Sequence, residues 1–167
     1  NCHPFTHGRW SFMHNGQVGG YDAFRRDADM MIPETLYPHR KGATDSEALF
    51  LVALAEGLDD DPRGALERAA ARFIRLAQAK GQGPHLRMTA ALSDGQRLYA
   101  VRYATDDAAP SLYHRWSDTR NGRAVVSEPL EAEEHGWEEV PPYSFCTFDG
   151  DRVTVEEFLP CRLAAAA

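Results

Sequence analysis

Three turn signals in the second half of this 167-residue chain constrain its fold most tightly. Asp94-Gly95-Gln96, Arg120-Asn121-Gly122 and Asp149-Gly150 each separate two runs rich in β-branched, aromatic and aliphatic residues. Asp-Gly and Asn-Gly supply the positive φ that a tight hairpin needs. The pattern predicts three antiparallel pairs: His85–Ser93 with Arg97–Ala104, Ser111–Trp116 with Arg123–Ser127, and Tyr143–Phe148 with Arg152–Phe158.

The first half has a different period. Residues 1–9 read as loop, and Trp10–His14 alternates, with Trp10, Phe12 and His14 on one strand face and Ser11 and Met13 on the other. Tyr21, Phe24 and Ala28 share one side of a short helix, and Pro33 and Pro38 make 31–43 an ordered loop. Thr44 or Asp45 caps a helix through Ala55, with Glu47 completing the shape of a capping box. Its run Ala48–Ala55 is apolar all round, which predicts burial, and Gly57 closes it. A second helix starts at Asp61-Pro62, carries the stripe Leu66, Ala69, Ala70, Phe73, Ile74 and Ala77, and ends at Gly81 and Gly83-Pro84. One strand, helices and then six strands in hairpins predict an α+β layered domain. The Ala164–Ala167 tail is expected to fray.

An apolar content of 43% over this length allows one domain with a sizeable core. The net charge of −7, with no basic cluster beyond Arg25-Arg26 and Arg40-Lys41, argues against nucleic acid or an anionic membrane as partner. No apolar run reaches transmembrane length. Cys2, Cys146 and Cys161 are an odd count without Cys-x-x-Cys spacing, which points to a reducing, cytoplasmic setting. Cys146 and Cys161 read as buried small hydrophobes.

Asn15-Gly16 ends the alternating run, and alone it reads first as a hairpin turn. Gln17-Val18-Gly19-Gly20 breaks the alternation and no partner strand follows at once. A turn exposing an amide side chain and a backbone N–H can instead hold an oxyanion, with Asn15 Nδ2 and Gly16 N–H as donors. Asp45 in a first helical turn is explained either as a cap complementing the dipole or as a carboxylate facing a pocket. His3-x-x-x-His7 is half of a zinc pattern to which His14 could add a third ligand, although no second paired element follows. The acidic stretch Glu131–Glu139 reads as a solvated loop.

Asn1-Cys2-His3-Pro4-Phe5, His14-Asn15-Gly16 and Thr44-Asp45-Ser46-Glu47 resemble, in that order, the motifs N-x-H-P-F, H-N-G and T-D-[ST]-E of class II glutamine amidotransferases. These are N-terminal-nucleophile (Ntn) hydrolases. The chain most resembles the small stand-alone branch that includes the ergothioneine-pathway γ-glutamyl amidohydrolase and the fungal-type glutathione-degradation component. Ala124–Leu130, Trp137 and Val140-Pro141-Pro142 extend the likeness towards the end of the chain.

The resemblance implies a four-layer α-β-β-α sandwich with antiparallel sheets, here lacking its N-terminal strands, so that 1–167 is the C-terminal portion of an amidotransferase domain. It implies hydrolysis of a γ-glutamyl amide, glutamine or a γ-glutamyl conjugate, by a catalytic Cys at the mature N-terminus. That nucleophile has no counterpart here and is expected from an upstream segment of the same protein; Cys2 reads as filler. Asn15 and Gly16 would hold the oxyanion, and Asp45, with Gly16, would bind the substrate through its α-ammonium. His3 would hydrogen-bond backbone and hold the Pro4-Phe5 turn, and His14 would pack under the oxyanion turn. No cofactor or metal is implied, and a homo-oligomer is left open. The rival readings are a non-catalytic γ-glutamyl-binding or interaction module and a zinc-dependent hydrolase using His3, His7 and His14.

Overall fold

The computed structural model describes residues 2–80, 83–129, 136–160 and 162. The expected fraying of 164–167, the helix end at Gly81, the setting of Cys161 and residues 131–135 of the acidic stretch lie outside them. The chain runs β1 (Phe5–His7), β2 (Trp10–Val18), α1 (Tyr21–Asp29), a 3₁₀ turn (Tyr37–His39), α2 (Asp45–Ala55), α3 (Pro62–Ala79), β3 (Leu86–Ser93), β4 (Leu98–Ala104), β5 (Tyr113–Ser117), β6 (Gly122–Val126), β7 (Glu138–Glu139), β8 (Ser144–Asp149) and β9 (Arg152–Glu157).

All three hairpins form as their turns predict, β3 with β4, β5 with β6, and β8 with β9. In the first, Asp94 Oδ1 accepts from the N–H groups of Gln96 and Arg97 while Gly95 takes φ +86°. An antiparallel sheet of order β1-β2-β3-β4-β8-β9 and a small sheet β6-β5-β7 result.

Burial follows the pleat. Phe12, Tyr99, Val101, Tyr103 and Phe145 join the helices in the main core, where Phe12 stacks on Phe50 of α2 at 5.4 Å. Ala100, Cys146 and Phe148, on the opposite face, meet Val125 of β6 and Leu112 and Val140, which flank β5 and β7. The described residues thus supply three consecutive layers, α-β-β.

α2 is buried from Ser46 to Ala53, as its all-round apolar sequence requires. Thr44 caps it, its hydroxyl accepting from Glu47 N–H at 3.4 Å. Glu47 departs from the expected capping box. Its carboxylate turns to the preceding loop, accepting from Lys41 N–H at 3.0 Å, from Gly42 N–H at 2.8 Å and from Arg40 at 2.8 Å. Arg40 is buried in turn, donating also to Asp29 Oδ1, Thr44 O and the Tyr21 hydroxyl. This network fixes the loop that delivers the start of α2.

Three elements differ from expectation. Residues 5–7 form β1 rather than loop, and Glu138–Glu139 pair with β5 as β7. β2 does not stop at His14: it runs through Asn15-Gly16 to Val18, in unbroken register with β3 from Ser11↔Ser93 to Val18↔Leu86.

Candidate active site

The Asn15-Gly16 turn is therefore corrected to a continuous strand. The dipeptide pairs with Thr89 and Met88, far downstream and beyond the reach of local turn preference. Gly16 serves close approach instead. A Cβ there would run into the Arg87 carbonyl of β3 and come within 2.7 Å of His14 Nε2. Gly16→Ala is accordingly expected to cost about 1–3 kcal/mol through strain between β2 and β3, read as a lower melting temperature; an unchanged melting temperature would show that the strands have room.

Strand geometry fixes where the backbone donors point. In an antiparallel pair, successive residues turn their N–H and C=O alternately towards and away from the partner. Asn15 O accepts from Thr89 Oγ1 at 2.7 Å, and Gly19 N–H donates to His85 O, so residues 15, 17 and 19 face β3. Gly16 and Val18 face the other way. On that side β1 pairs only with Trp10–Phe12, which leaves Gly16 N–H at an open edge among the described residues. Val18 N–H, two residues along the same edge, donates to Asp45 Oδ2 at 2.8 Å.

The start of α2 thus docks against this edge. Asp45 Oδ1 accepts from Ser46 N–H at 2.7 Å and from the Ser46 hydroxyl at 3.2 Å. Ser46 Oγ also shares a 2.8 Å hydrogen bond with His14 Nδ1. With Thr44 as cap, Asp45 is released from capping, and its half-buried carboxylate lines an open cavity of about 530 Å³ with Gln17, Gly19, Gly20 and Tyr21. Asn15 is exposed on the opposite face of β2, on a cavity of about 190 Å³ between the two sheets, with His3, Met13, Thr89, Leu112 and Ser127.

His14 is buried beneath this edge, 5% exposed, with its ring inclined by 21° to that of Phe12 at 6.2 Å. Burial pulls its pKa below the ordinary histidine value, with Asp45 opposing. His114 is lowered as well, first by burial and then by Arg123, whose guanidinium donates to His114 Nδ1 at 2.9 Å; Glu138 opposes. Between these lowered values and the unfolded value of about 6.5, the unfolded chain binds more protons, so stability is full above that range and falls as the pH drops through it. Melting temperature is expected to decline on acidification from pH 7 to 5, and His14→Gln should flatten the decline; an unaltered profile would contradict it.

His14, Gly16 and Asp45 lie where β2 meets α2, whereas Asn15 lines the separate cavity between the sheets. His3 is exposed and sets its ring edge-on to Phe5 at 4.8 Å; among the described residues no backbone hydrogen bond from that ring replaces this contact. His7 packs on His39 at 4.5 Å, so His3, His7 and His14 make three separate contacts rather than one centre. Cys2 is exposed, and Cys146, whose thiol pKa burial pushes up, lies in the small-sheet cluster away from β2. Sequence reasoning missed Ser46 and Val18, because both contacts cross from helix to strand.

Comparison with known proteins decides the family. No family model matches the chain. A solved "glutamine aminotransferase class-II domain protein" from Silicibacter pomeroyi is 55% identical over 95% of this chain and 71% of that one, with TM-score 0.91. The chain belongs to the class II glutamine amidotransferases. A Saccharomyces cerevisiae relative, "Probable glutamine amidotransferase DUG3", is 30% identical over 88% of this chain. This amidotransferase chain spans about half of that relative, 52% of its length. The glutamine phosphoribosylpyrophosphate amidotransferase of B. subtilis, at 11% identity and TM-score 0.61, shares the fold. The α+β architecture is thus that of Ntn-type amidotransferases. No helix among the described residues is long and apolar enough to cross a membrane.

Proposed function

We propose that this chain forms the oxyanion and ammonium-binding side of a γ-glutamyl amide hydrolase. The observation that carries the reading is the shared open edge of β2, with Gly16 N–H at one point and the Asp45 carboxylate at the next. Strand residues two apart are separated by about 6.8 Å. A γ-glutamyl group spans four bonds of about 1.5 Å from carbonyl carbon to α-nitrogen, roughly 5 Å. Laid along the edge, it sets its carbonyl at Gly16 N–H and Asn15 Nδ2 and its ammonium at Asp45.

A thiolate attacks that carbonyl, the oxyanion gathers the two donors, ammonia or an amine leaves as a thioester forms, and water releases glutamate. Neither Cys2 nor Cys146 answers to the nucleophile, and the relatives are longer than this chain; the attacking Cys is assigned to an upstream segment of the same protein. The donors act through preset hydrogen bonds, so no metal or cofactor enters the scheme. A thiolate nucleophile has to stay reduced, which favours a cytoplasmic setting.

The test is glutamate release by the intact protein from L-glutamine and from γ-glutamyl dipeptides, with and without a chelator. Chelator-insensitive release is expected. Glutamate binding without release would make this a binding module, and loss of release on chelation would favour a zinc hydrolase.

A further inference from the structure

The open edge of β2 poses a mechanical problem. Gly16 has no side chain to anchor it, and β1 ends its support at Phe12. β3 holds this stretch on one side only, and on the other hydrogen bonds from the start of α2 bracket it, His14 to Ser46 and Val18 to Asp45. Both ties end on adjacent helix residues, which are themselves linked by the Ser46 hydroxyl and Asp45 Oδ1. His14 Nε2, buried without a hydrogen-bond partner among the described residues, borders the site where a Cβ on Gly16 would stand.

We propose that His14 and Ser46 are positioning residues, which set the strand segment presenting Gly16 at a fixed place relative to the Asp45 carboxylate. The inference rests on the reading given under Proposed function. The groups facing His14 are Ser46 and Asp45 from α2, the Arg87 carbonyl from β3, the Phe12 ring and, at longer range, His3. Of these, the Ser46 hydroxyl alone touches both His14 and Asp45. It links the residue behind the oxyanion donor to the residue that would hold the ammonium, so anchoring one end of the γ-glutamyl group fixes the other. Removing the hydroxyl leaves Asp45 its bonds to Val18 N–H and Ser46 N–H, and hence its affinity, but frees the donor to drift. Misplacement of a catalytic group by about 1 Å can cost up to a hundredfold in rate.

In the intact protein, Ser46→Ala is expected to lower kcat for glutamate release about tenfold or more with KM changed less than about twofold. Ser46→Thr, which restores the hydroxyl, should recover most of the loss. His14→Asn, whose side-chain amide can still meet Ser46 Oγ, should retain more kcat than His14→Leu, and His14→Leu combined with Ser46→Ala should lose little more than either alone. Alanine is a good helix former, so Ser46→Ala decides the matter even if His14→Leu fails to fold. An active wild type with unchanged kcat in Ser46→Ala, or a change confined to KM or melting temperature, overturns the positioning role. A wild type that releases no glutamate instead overturns the function on which it rests.

Discussion

Asn15→Ala in the intact protein is expected to lower kcat about a hundredfold or more and to leave KM nearly unchanged. The carbonyl of a bound γ-glutamyl group carries little charge, and the tetrahedral intermediate carries a full one, so a donor aimed at the oxyanion acts mainly on the transition state. The substitution isolates that effect. Asn15 keeps its place in β2 through its backbone carbonyl, which accepts from Thr89 Oγ1, and through the register with β3, neither of which depends on its side chain. Steady-state kinetics checks this directly: a KM effect without a kcat effect would assign Asn15 to ground-state binding.

Asp45→Asn should weaken binding of L-glutamate tenfold or more, because an ammonium in a partly desolvated site loses its charged partner. The structure adds a second cost. The carboxylate accepts from three donors through two oxygens, and an amide has one acceptor oxygen. Its NH₂ would face either Val18 N–H or Ser46 N–H, at a cost of about 1–3 kcal/mol. Calorimetry and melting curves on the same variant separate the two effects. Unchanged affinity with a lowered melting temperature would make Asp45 a clasp between α2 and β2 and nothing more.

These residues show how far the chain could be read from its sequence. The hairpins at Gly95, Asn121-Gly122 and Gly150 are legible because a hairpin is a local event: two residues set the turn and the turn sets the register. The helices are legible for a similar reason, since caps at Thr44 and Asp61 and the apolar stripe of α3 lie within one segment. β2 is not. Its residues 15–18 are strand because β3 pairs with them, and Asn-Gly carries the opposite local preference.

The candidate site divides the same way. Asn15, Gly16 and Asp45 stand out as motif residues, whereas the docking of Asp45 on the edge of β2 through Val18 N–H is a tertiary fact. Ser46 looks like any first-turn serine until His14 is seen against it, and Arg40-Lys41 looks like surface charge until Glu47 and Asp29 close on the guanidinium.

The central claim is that this edge serves a thiolate supplied from outside residues 1–167. Labelling the intact protein with 6-diazo-5-oxo-L-norleucine, a glutamine-shaped electrophile, and mapping the adduct by mass spectrometry tests it most directly. The adduct is predicted on a single cysteine at the mature N-terminus upstream of Asn1, with labelling slowed in Asn15→Ala and Asp45→Asn. An adduct on Cys2 or Cys146, or glutamate release with no cysteine modified, would contradict it.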